Sequence, residues 1–359
     1  MRILYVIDQM AVCGGTERII ADKVNWLAEN TPHEIFLMTT LSDRRPFAYN
    51  ISGKAHVLQL GVNGSMKSVL SLLKAVLRYN KVVKEIKPDI TVAIWTFCTL
   101  MCLLGGRYGT LIQEQHVTPY RLKKRWLIRW LQRRIDRIVV VNNEAKKYYG
   151  AEAKVEVIPN FTSIQPGRDC DYTVRHCIAM GRLAVEKDFS RMLRLWHEAV
   201  KCCPGWILDI YGEGEERAAL ERQIDELKMH DEVSLHGQTA DPADAYCSGS
   251  MCLMTSQNEE FPLSLVEAMT CGLPLLAFDC PSGPREIIED GRNGRLIAYH
   301  DDTAMVDALV EMMHNVDMRH EMGATGKAMA VRYVPESVMP RWLSLFDGLT
   351  GKEDMECPE

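Results

Sequence analysis

The sequence predicts two α/β domains, each built on a parallel β-sheet with helices on both faces. Its 359 residues exceed the length at which a single hydrophobic core is common. Strand-like and helix-like segments alternate twice along the chain, and such alternation is typical of parallel sheets. A polar segment, 162–173, contains Pro166 and Gly167 and separates the two series. We therefore expect domains at 1–165 and 166–335, and a helical tail over 336–359 that returns toward the first domain.

In the first domain, short apolar runs rich in Val and Ile indicate buried parallel strands. They predict strands at 2–7, 34–39, 56–60, 90–95, 111–115, 138–141 and 155–158. Apolar residues at helical spacing predict helices over 16–29, 68–86 and 121–137. The most apolar stretch, 90–104, has fifteen residues, whereas a membrane-spanning helix needs roughly 20. It therefore predicts a buried strand that runs into a core helix.

The second domain repeats the pattern. Strands are predicted at 177–180, 207–211, 233–236, 251–254 and 275–278, with helices between them. From Asp301 to about Leu349 the pattern is helical, with a break near Tyr333-Val334-Pro335. Two doubly wound domains of this kind, facing each other, would place a cleft at the carboxyl ends of both sheets.

The composition, with 47% hydrophobic and 25% charged residues, is that of a soluble globular protein. The twelve cysteines are scattered, several fall in apolar runs, and no CxxC pair gives zinc-ligand spacing. The opening apolar run stops at Asp8, too early for a secretory signal. We therefore expect a cytoplasmic protein with reduced, buried thiols.

The charge is divided unequally along the chain. Residues 1–165 hold 24 Lys and Arg against 13 Asp and Glu, a formal charge of +11, and the remainder carries −17. Such asymmetry suggests that the first half faces an anionic partner.

The helix predicted over 121–137 is the most basic segment, with eight basic residues and one acid. Trp126 and Trp130 share one face of it. This pattern favours contact with an anionic membrane surface through Lys123, Lys124, Arg125 and Arg129. The alternative is a solvated helix whose tryptophans pack on the sheet. Nucleic acid ranks lower as a partner, because the chain has no nucleic-acid module and its other half is strongly acidic.

Three common nucleotide and metal signatures are missing or misplaced. No Gly-Lys is followed by Ser or Thr, as a P-loop requires, and Arg217 replaces the third glycine of the dinucleotide fingerprint begun at Gly212. The Asp169-Cys170-Asp171 triplet has the spacing of a metal motif but lies in the polar linker. We therefore expect no metal site.

The strongest candidate site runs from Ser256 to Gly272. A buried strand ends in a polar loop, and Phe261-Pro262 then opens a helix whose N-terminus can bind an anion. Glu259 precedes that helix and Glu267 lies one to two turns inside it. Two carboxylates so placed can accept hydrogen bonds from the hydroxyls of a polyol ligand. By spacing alone, Glu267 is equally consistent with a solvated helix face.

Three further motifs follow predicted strands. Arg182, in Gly181-Arg182-Leu183, and Lys187 lie five residues apart and can neutralise a departing diphosphate. Gly14-Gly15 follows the first strand, where paired glycines let a ligand approach the backbone. His116 follows the strand at 111–115. Judged singly, each of these motifs is also consistent with an ordinary structural or surface role.

Together these motifs resemble the retaining family 4 glycosyltransferases of the GT-B fold, over nearly the whole chain. The segment at 259–274 resembles the family's E-x7-E region, and residues 181–187 resemble its G-R-L-x-x-E-K pattern. Gly14-Gly15-Thr16-Glu17 resembles its G-G-x-E, and Val157-Ile158-Pro159-Asn160 its V-I-P-N turn. One departure is Glu260, which stands where the family usually has glycine, beside the donor sugar.

The resemblance implies a GT-B enzyme that moves a hexose or N-acetylhexosamine from a UDP-sugar, with retention and without a metal. It implies catalytic roles for Glu259, Arg182, Lys187 and His116. The residues expected to contact the donor are Gly14, Gly15, Asn160, Arg182, Lys187, Gly212, Phe261, Pro262, Leu263, Ser264 and Glu267. Asp8 and Glu17 are expected on the acceptor side.

The expected acceptor is a hydroxyl of a saccharide or of a lipid-linked saccharide used in surface polysaccharide assembly. The enzyme would then be peripheral on the inner face of the cytoplasmic membrane. Two alternatives remain open: a GT-B sugar-nucleotide epimerase, and a non-catalytic scaffold that binds sugar nucleotides. The complete Arg/Lys and Glu/Glu sets weigh against the scaffold, since binding alone does not require them.

Overall fold

The computed structural model describes residues 1–12, 14–41, 45–62, 69–116, 130–149 and 154–351. The chain divides into two compact units. The first is Met1–Asn160 with Pro335–Glu359, and the second is Phe161–Val334. The last helix therefore belongs to the first unit, although it follows the second unit along the chain.

The first unit is a seven-stranded parallel sheet with strand order β3-β2-β1-β4-β5-β6-β7. Its strands are β1 (Arg2–Ile7), β2 (Glu34–Leu41), β3 (His56–Val62), β4 (Ile90–Ile94), β5 (Thr110–Gln115), β6 (Arg137–Val140) and β7 (Val155–Val157). Its helices are α1 (Gly15–Asn30), α2 (Val69–Ile86), α3 (Trp95–Leu104), α4 (Asn143–Lys147) and α12 (Pro335–Thr350). All five residues of β4 are buried, which is why this strand reads as a continuous apolar run.

The second unit is a six-stranded parallel sheet with strand order β10-β9-β8-β11-β12-β13. Its strands are β8 (His176–Met180), β9 (Ile207–Tyr211), β10 (Val233–Gly237), β11 (Met251–Met254), β12 (Leu275–Asp279) and β13 (Gly294–Ala298). Its helices are α5 (Phe189–Val200), α6 (Arg217–Leu227), α7 (Pro242–Cys247), α8 (Leu263–Thr270), α9 (Pro284–Ile287), α10 (Asp302–His314) and α11 (Val316–Ala330). Both units have the strand order of a doubly wound Rossmann fold, so the predicted fold class is confirmed.

Several helices of the second unit begin at side-chain caps. Asp188 accepts a hydrogen bond from the backbone N–H of Arg191, Asp241 from that of Asp244, and Asp301 from that of Ala304. Such caps satisfy N–H groups that have no partner inside the helix. They explain why these helices begin at defined residues that follow Asp.

The structure differs from the sequence prediction at four places. The helix predicted to reach Arg137 ends earlier: residues 130–132 are helical, a turn follows, and Arg137 begins β6. Strand β13 was not predicted. The long C-terminal helix is interrupted at Asn315, whose side chain caps α11. Pro262 is the cap of α8 and not its first residue.

No helix in the described part of the chain is long and apolar enough to cross a membrane. The ten cysteines that the structure describes are free thiols, eight of them buried. Within the same residues, no cluster of three His, Cys, Asp or Glu side chains could hold a metal ion.

Candidate functional site

The candidate site of the second unit lies where its strand order reverses. β8 and β11 are neighbours in the sheet, but the chain leaves them toward opposite edges. Ligands of doubly wound folds bind outside the carboxyl ends of the strands at this point. Gly181 and Arg182 follow β8, and the loop that carries Glu259 follows β11.

The backbone around Arg182 is held by the loop after β9. Gly212 has φ 146°, and a Cβ added there would lie 1.9 Å from the carbonyl oxygen of Gly181. A Cβ at Gly214 would lie 2.2 Å from the carbonyl oxygen of Leu183. Leu183 N–H also donates to the Glu213 carbonyl at 3.0 Å. Because Gly212 has no Cβ, the loops after β8 and β9 can pack closely against each other, and this packing fixes the direction in which Arg182 leaves the sheet.

Lys187 and Glu259 form an ion pair. Nζ of Lys187 lies 2.5 Å from Oε1 of Glu259, and the two side chains are 25% and 11% exposed. The loop after β11 also holds the turn of Lys187 through its backbone, because the N–H of Gln257 donates to the Glu186 carbonyl at 2.9 Å. The structure thus brings together two of the predicted catalytic residues, although 72 positions separate them in sequence.

Arg182 pairs with Glu186, four residues later. These side chains are 54% and 42% exposed, so solvent screens the pair and its energy is about 0–1 kcal/mol. Moving the guanidinium from this carboxylate to a phosphate therefore costs little. The sequence contained Glu186, but its pairing with Arg182 was not predicted.

The loop that presents Glu259 is clamped by the segment after β12. Gly283 N–H donates to the Glu259 carbonyl at 2.7 Å, and a Cβ at Gly283 would lie 2.4 Å from Cδ of Pro262. Phe261 is buried, with its ring 5.5 Å from that of Tyr333 in an edge-to-face contact. Glu260 is half-buried beside it. These contacts fix the entry into α8, whose first residues are Leu263 and Ser264.

Glu267 lies one turn inside α8 and is only 4% exposed. The buried hydroxyl of Tyr246 donates to its Oε2 at 3.2 Å. The alternative of a solvated helix face is therefore wrong. Burial, together with the charge of Glu267, raises the pKa of Tyr246 well above its usual value, so the phenol stays protonated and donates. Tyr246 was missed because nothing in the sequence links it to α8.

In the first unit, the predicted residues Asp8, Gly14, Gly15 and Glu17 lie after β1. Gly14 is extended, and α1 begins at Gly15 with Glu17 in its first turn. Asp8 is half-buried and accepts from Sγ of Cys98 at 3.1 Å. Burial raises the pKa of Asp8 above its usual value, against hydrogen bonds from Cys98 and Thr40 that lower it.

His116 lies at the end of β5 within a buried polar network. Its Nε2 is 2.9 Å from Oε1 of Glu114, an ion-pair distance without hydrogen-bond alignment. Glu114 also pairs with Lys23 of α1, and both of those side chains are almost fully buried. Burial alone would raise the pKa of Glu114, but the charges of Lys23 and His116 and the hydrogen bond from Lys23 hold it at about 2.

Trp95 and Asn160 complete the polar end of the first sheet. Trp95 follows β4 with φ 65°, a conformation that side-chain-bearing residues adopt at a cost of order 1–3 kcal/mol. Its ring lies 5.9 Å from that of His116, edge to face. Asn160 is 5% exposed, and among the described residues its Oδ1 has no hydrogen-bond partner. Trp95 was not predicted, since no sequence signal marks a left-handed Trp.

Two other groups of residues from the sequence analysis remain. Lys123, Lys124, Arg125 and Arg129 lie outside the residues that the structure describes. In the dismissed Asp169-Cys170-Asp171 triplet, Asp169 pairs with Lys327 at 2.6 Å, and Asp171 accepts from Thr173 at 2.7 Å.

Two family models match the chain. Residues 13–165 match Glycosyltransferase Family 4, and residues 173–329 match Glycosyl transferases group 1. The chain is a glycosyltransferase of the GT-B type. The two matches meet within the linker region and assign one half of the glycosyltransferase to each unit.

In sequence, this glycosyltransferase is similar to the amylovoran biosynthesis glycosyltransferase AmsD of Erwinia amylovora. They are 25% identical over 358 residues, covering 95% of this chain and 98% of AmsD. In structure, it is similar to sucrose-phosphate synthase from Thermosynechococcus elongatus, with a TM-score of 0.85, 16% identity and coverage of 98% and 100%.

It is also similar in structure to TarM of S. aureus, a variant of which was solved with fondaparinux, α-GlcNAc-glycerol and UDP. The TM-score is 0.79 and the identity 15%, with coverage of 96% of this chain and 99% of TarM. At these identities, the structural likenesses show a shared fold.

Proposed function

We propose that this glycosyltransferase transfers a hexose or N-acetylhexosamine from a UDP-sugar to a hydroxyl of a saccharide acceptor. The observation that carries the proposal is the contact between Lys187 and Glu259, 2.5 Å apart at the reversal point of the second sheet. In a sugar nucleotide, one oxygen joins the sugar to the diphosphate. A cation for the phosphate and a carboxylate for the sugar hydroxyls must therefore be neighbours.

In this proposal, Arg182 and Lys187 neutralise the negative charge that develops on the leaving diphosphate. Because Arg182 is exposed and weakly paired, it can turn to the phosphate without losing a strong contact. The N-terminus of α8, at Leu263 and Ser264, adds backbone N–H groups beside Lys187.

The two carboxylates have different tasks. Glu267, buried and oriented by Tyr246, accepts hydrogen bonds from the ribose hydroxyls. Glu259 accepts them from the hydroxyls of the transferred sugar. In the first unit, His116 and the backbone at Gly14 and Gly15 position the donor, and Asn160 contributes its buried Oδ1. Asp8 and Glu17 bind the acceptor.

The choice of donor, stereochemistry and acceptor rests on the relatives. TarM was solved with UDP and α-GlcNAc-glycerol, and an α-linked glycoside is what an α-linked UDP-sugar yields when it reacts with retention. AmsD is named for the synthesis of a polysaccharide. We infer a lipid-linked saccharide acceptor in surface polysaccharide assembly, a peripheral location on the inner face of the cytoplasmic membrane, and catalysis without a metal.

The test measures UDP-sugar consumption by Arg182→Ala and Glu267→Gln, with UDP-glucose and UDP-GlcNAc as donors. Each change should lower kcat/KM by roughly 100-fold or more, because each removes a charge aimed at the donor. Arg292→Ala is the matched control, since Arg292 is an exposed arginine that pairs locally with Glu289. Glu267→Gln keeps an acceptor for Tyr246, so a thermal shift close to wild type would confirm folding.

Several results would refute the proposal. Full activity in both variants would overturn the assigned site. Donor turnover that needs no acceptor and yields an epimer would indicate an epimerase, and UDP binding without hydrolysis or transfer would indicate a scaffold. Loss of activity with EDTA, restored by a divalent cation, would overturn catalysis without a metal.

A further inference from the structure

A stripe of exposed leucines runs along α2 of the first unit. Leu70, Leu73 and Leu77 are 71%, 54% and 70% exposed, although leucine is among the residues most often buried. Their spacing of three and four residues places them on one face of the helix. Single exposed apolar residues are ordinary, but a contiguous apolar stripe marks a surface that contacts something.

The opposite face of α2 is firmly packed. Ala75, Tyr79 and Val83 are at most 1% exposed and belong to the hydrophobic core of the first unit. Arg78, at the edge of the helix, donates to the Leu60 carbonyl at 2.6 Å and so ties α2 to β3. The helix is therefore anchored, and the leucine stripe is held outward on a rigid support.

Lysines continue the exposed face. Lys74 follows Leu70 by four residues, and Lys81 and Lys84 follow Leu77 by four and seven, so they lie beside and beyond the leucines. All three are exposed. The helix contains one acidic residue, and the first 165 residues carry a formal charge of +11. An apolar stripe flanked by lysines is the pattern of a helix that lies in a membrane interface.

We propose that this face of α2 is the surface by which the enzyme docks on an anionic bilayer. The leucines enter the boundary between headgroups and acyl chains, and the lysines bind anionic headgroups. A nucleic acid would satisfy the lysines but leave the leucines uncovered. A second copy of the chain, packed α2 against α2, would set lysines against lysines. The proposal rests on the proposed function in one respect, namely that the acceptor is lipid-linked.

The test is co-sedimentation of the full chain with vesicles of phosphatidylcholine alone or with 30% phosphatidylglycerol. The chain should bind the anionic vesicles and be released by salt. Lys74→Gln, Lys81→Gln and Lys84→Gln together should weaken this binding roughly 100-fold, since each lysine near an anionic surface contributes about fivefold. Changing Leu70, Leu73 and Leu77 together to Gln should weaken it at least about tenfold.

The matched control changes two exposed valines of the second unit to Gln, Val316 and Val331, which are 39% and 61% exposed. This control should bind as wild type does. The proposal is overturned if wild type fails to bind anionic vesicles, or if the leucine variant binds as tightly as wild type. It is also overturned if the leucine variant converts a dimer to a monomer at wild-type vesicle affinity.

Donor turnover without vesicles separates this proposal from the proposed function. The leucine and lysine variants should both keep the wild-type rate of donor hydrolysis, because α2 carries none of the assigned donor residues. A chain that docks as described but consumes no UDP-sugar would refute the proposed function alone.

Discussion

The buried pair of Lys23 and Glu114 offers the sharpest test of how the first unit holds His116. The perturbation is Lys23→Met, which keeps the length of the side chain and removes its charge. Lys23 is fully buried and Glu114 is 1% exposed, so water does not screen the carboxylate that the substitution leaves behind. Lys23 also lies 4.5 Å from the ring centroid of Trp342 in α12, a cation–π contact that is lost as well.

Breaking a buried ion pair by removing one partner costs about 3–5 kcal/mol, because the remaining charge has no compensation. We expect Lys23→Met to lower the free energy of opening of the first unit by that amount. Adding Glu114→Gln removes the stranded charge. The double variant should therefore be more stable than the sum of the two single changes by about 2–3 kcal/mol.

The assay is hydrogen–deuterium exchange of peptides from α1 and β5, which reports on the first unit separately. Lys201→Met is the control, because Lys201 pairs with Glu198 at 2.7 Å while both side chains are more than half exposed. It should cost no more than about 1 kcal/mol. A loss below about 1 kcal/mol in Lys23→Met, or additive single changes, would refute the assignment of a stabilising buried pair.

Three further predictions concern stability and donor binding. The pKa of Glu114 is about 2, against an ordinary 4.5, so its contribution to stability is complete above pH 4.5 and is lost as the pH falls toward 2. The measured free energy of unfolding of Glu114→Gln should therefore depend less steeply on pH in this range than that of wild type. Gly212→Ala forces a Cβ against the Gly181 carbonyl and should weaken UDP binding, measured by calorimetry, at least about tenfold. Gly167→Ala is the control and should leave UDP binding unchanged, because a Cβ added at Gly167 would have no atom within 4 Å. Arg319→Met removes a buried guanidinium that donates to three backbone carbonyls and should destabilise the second unit by about 2–4 kcal/mol in urea; an unchanged midpoint would contradict this.

The fold was predictable from sequence because buried parallel strands leave a strong apolar signal. β1 and β4 are continuous apolar runs, and both were predicted within one residue. β13 was missed because it is a short edge strand that begins with Gly294 and contains Arg295, which pairs with Glu311 of α10. All five of its residues pair with β12, and Ile297 packs in the core of the second unit; a local pattern does not contain these long-range contacts.

The members of the candidate site were predictable, but their pairings were not. Arg182, Lys187, Glu259 and Glu267 could be selected because they lie after predicted strands and because together they match the pattern of the family that the sequence resembles. Which cation meets which carboxylate depends on loops that interlock through the backbone, such as those at Gly212. Tyr246 had no signal at all, since only the packing of α7 against α8 brings its hydroxyl to Glu267.

Spacing in the sequence does not distinguish the roles of Glu259 and Glu267, but their environments in the structure differ. Glu259 is partly exposed and opposes a lysine, so a ligand phosphate can compete for that cation and release the carboxylate toward the sugar. Glu267 is buried against a phenol that cannot neutralise it, and its orientation is fixed before any ligand arrives. Glu259 can change its partner, which suits the sugar, because the bonding of the sugar changes during transfer. Glu267 is fixed, which suits the ribose, because the ribose is not altered by the reaction. Burial and pairing, like the family pattern, thus support the proposed assignment of the sugar to Glu259 and of the ribose to Glu267.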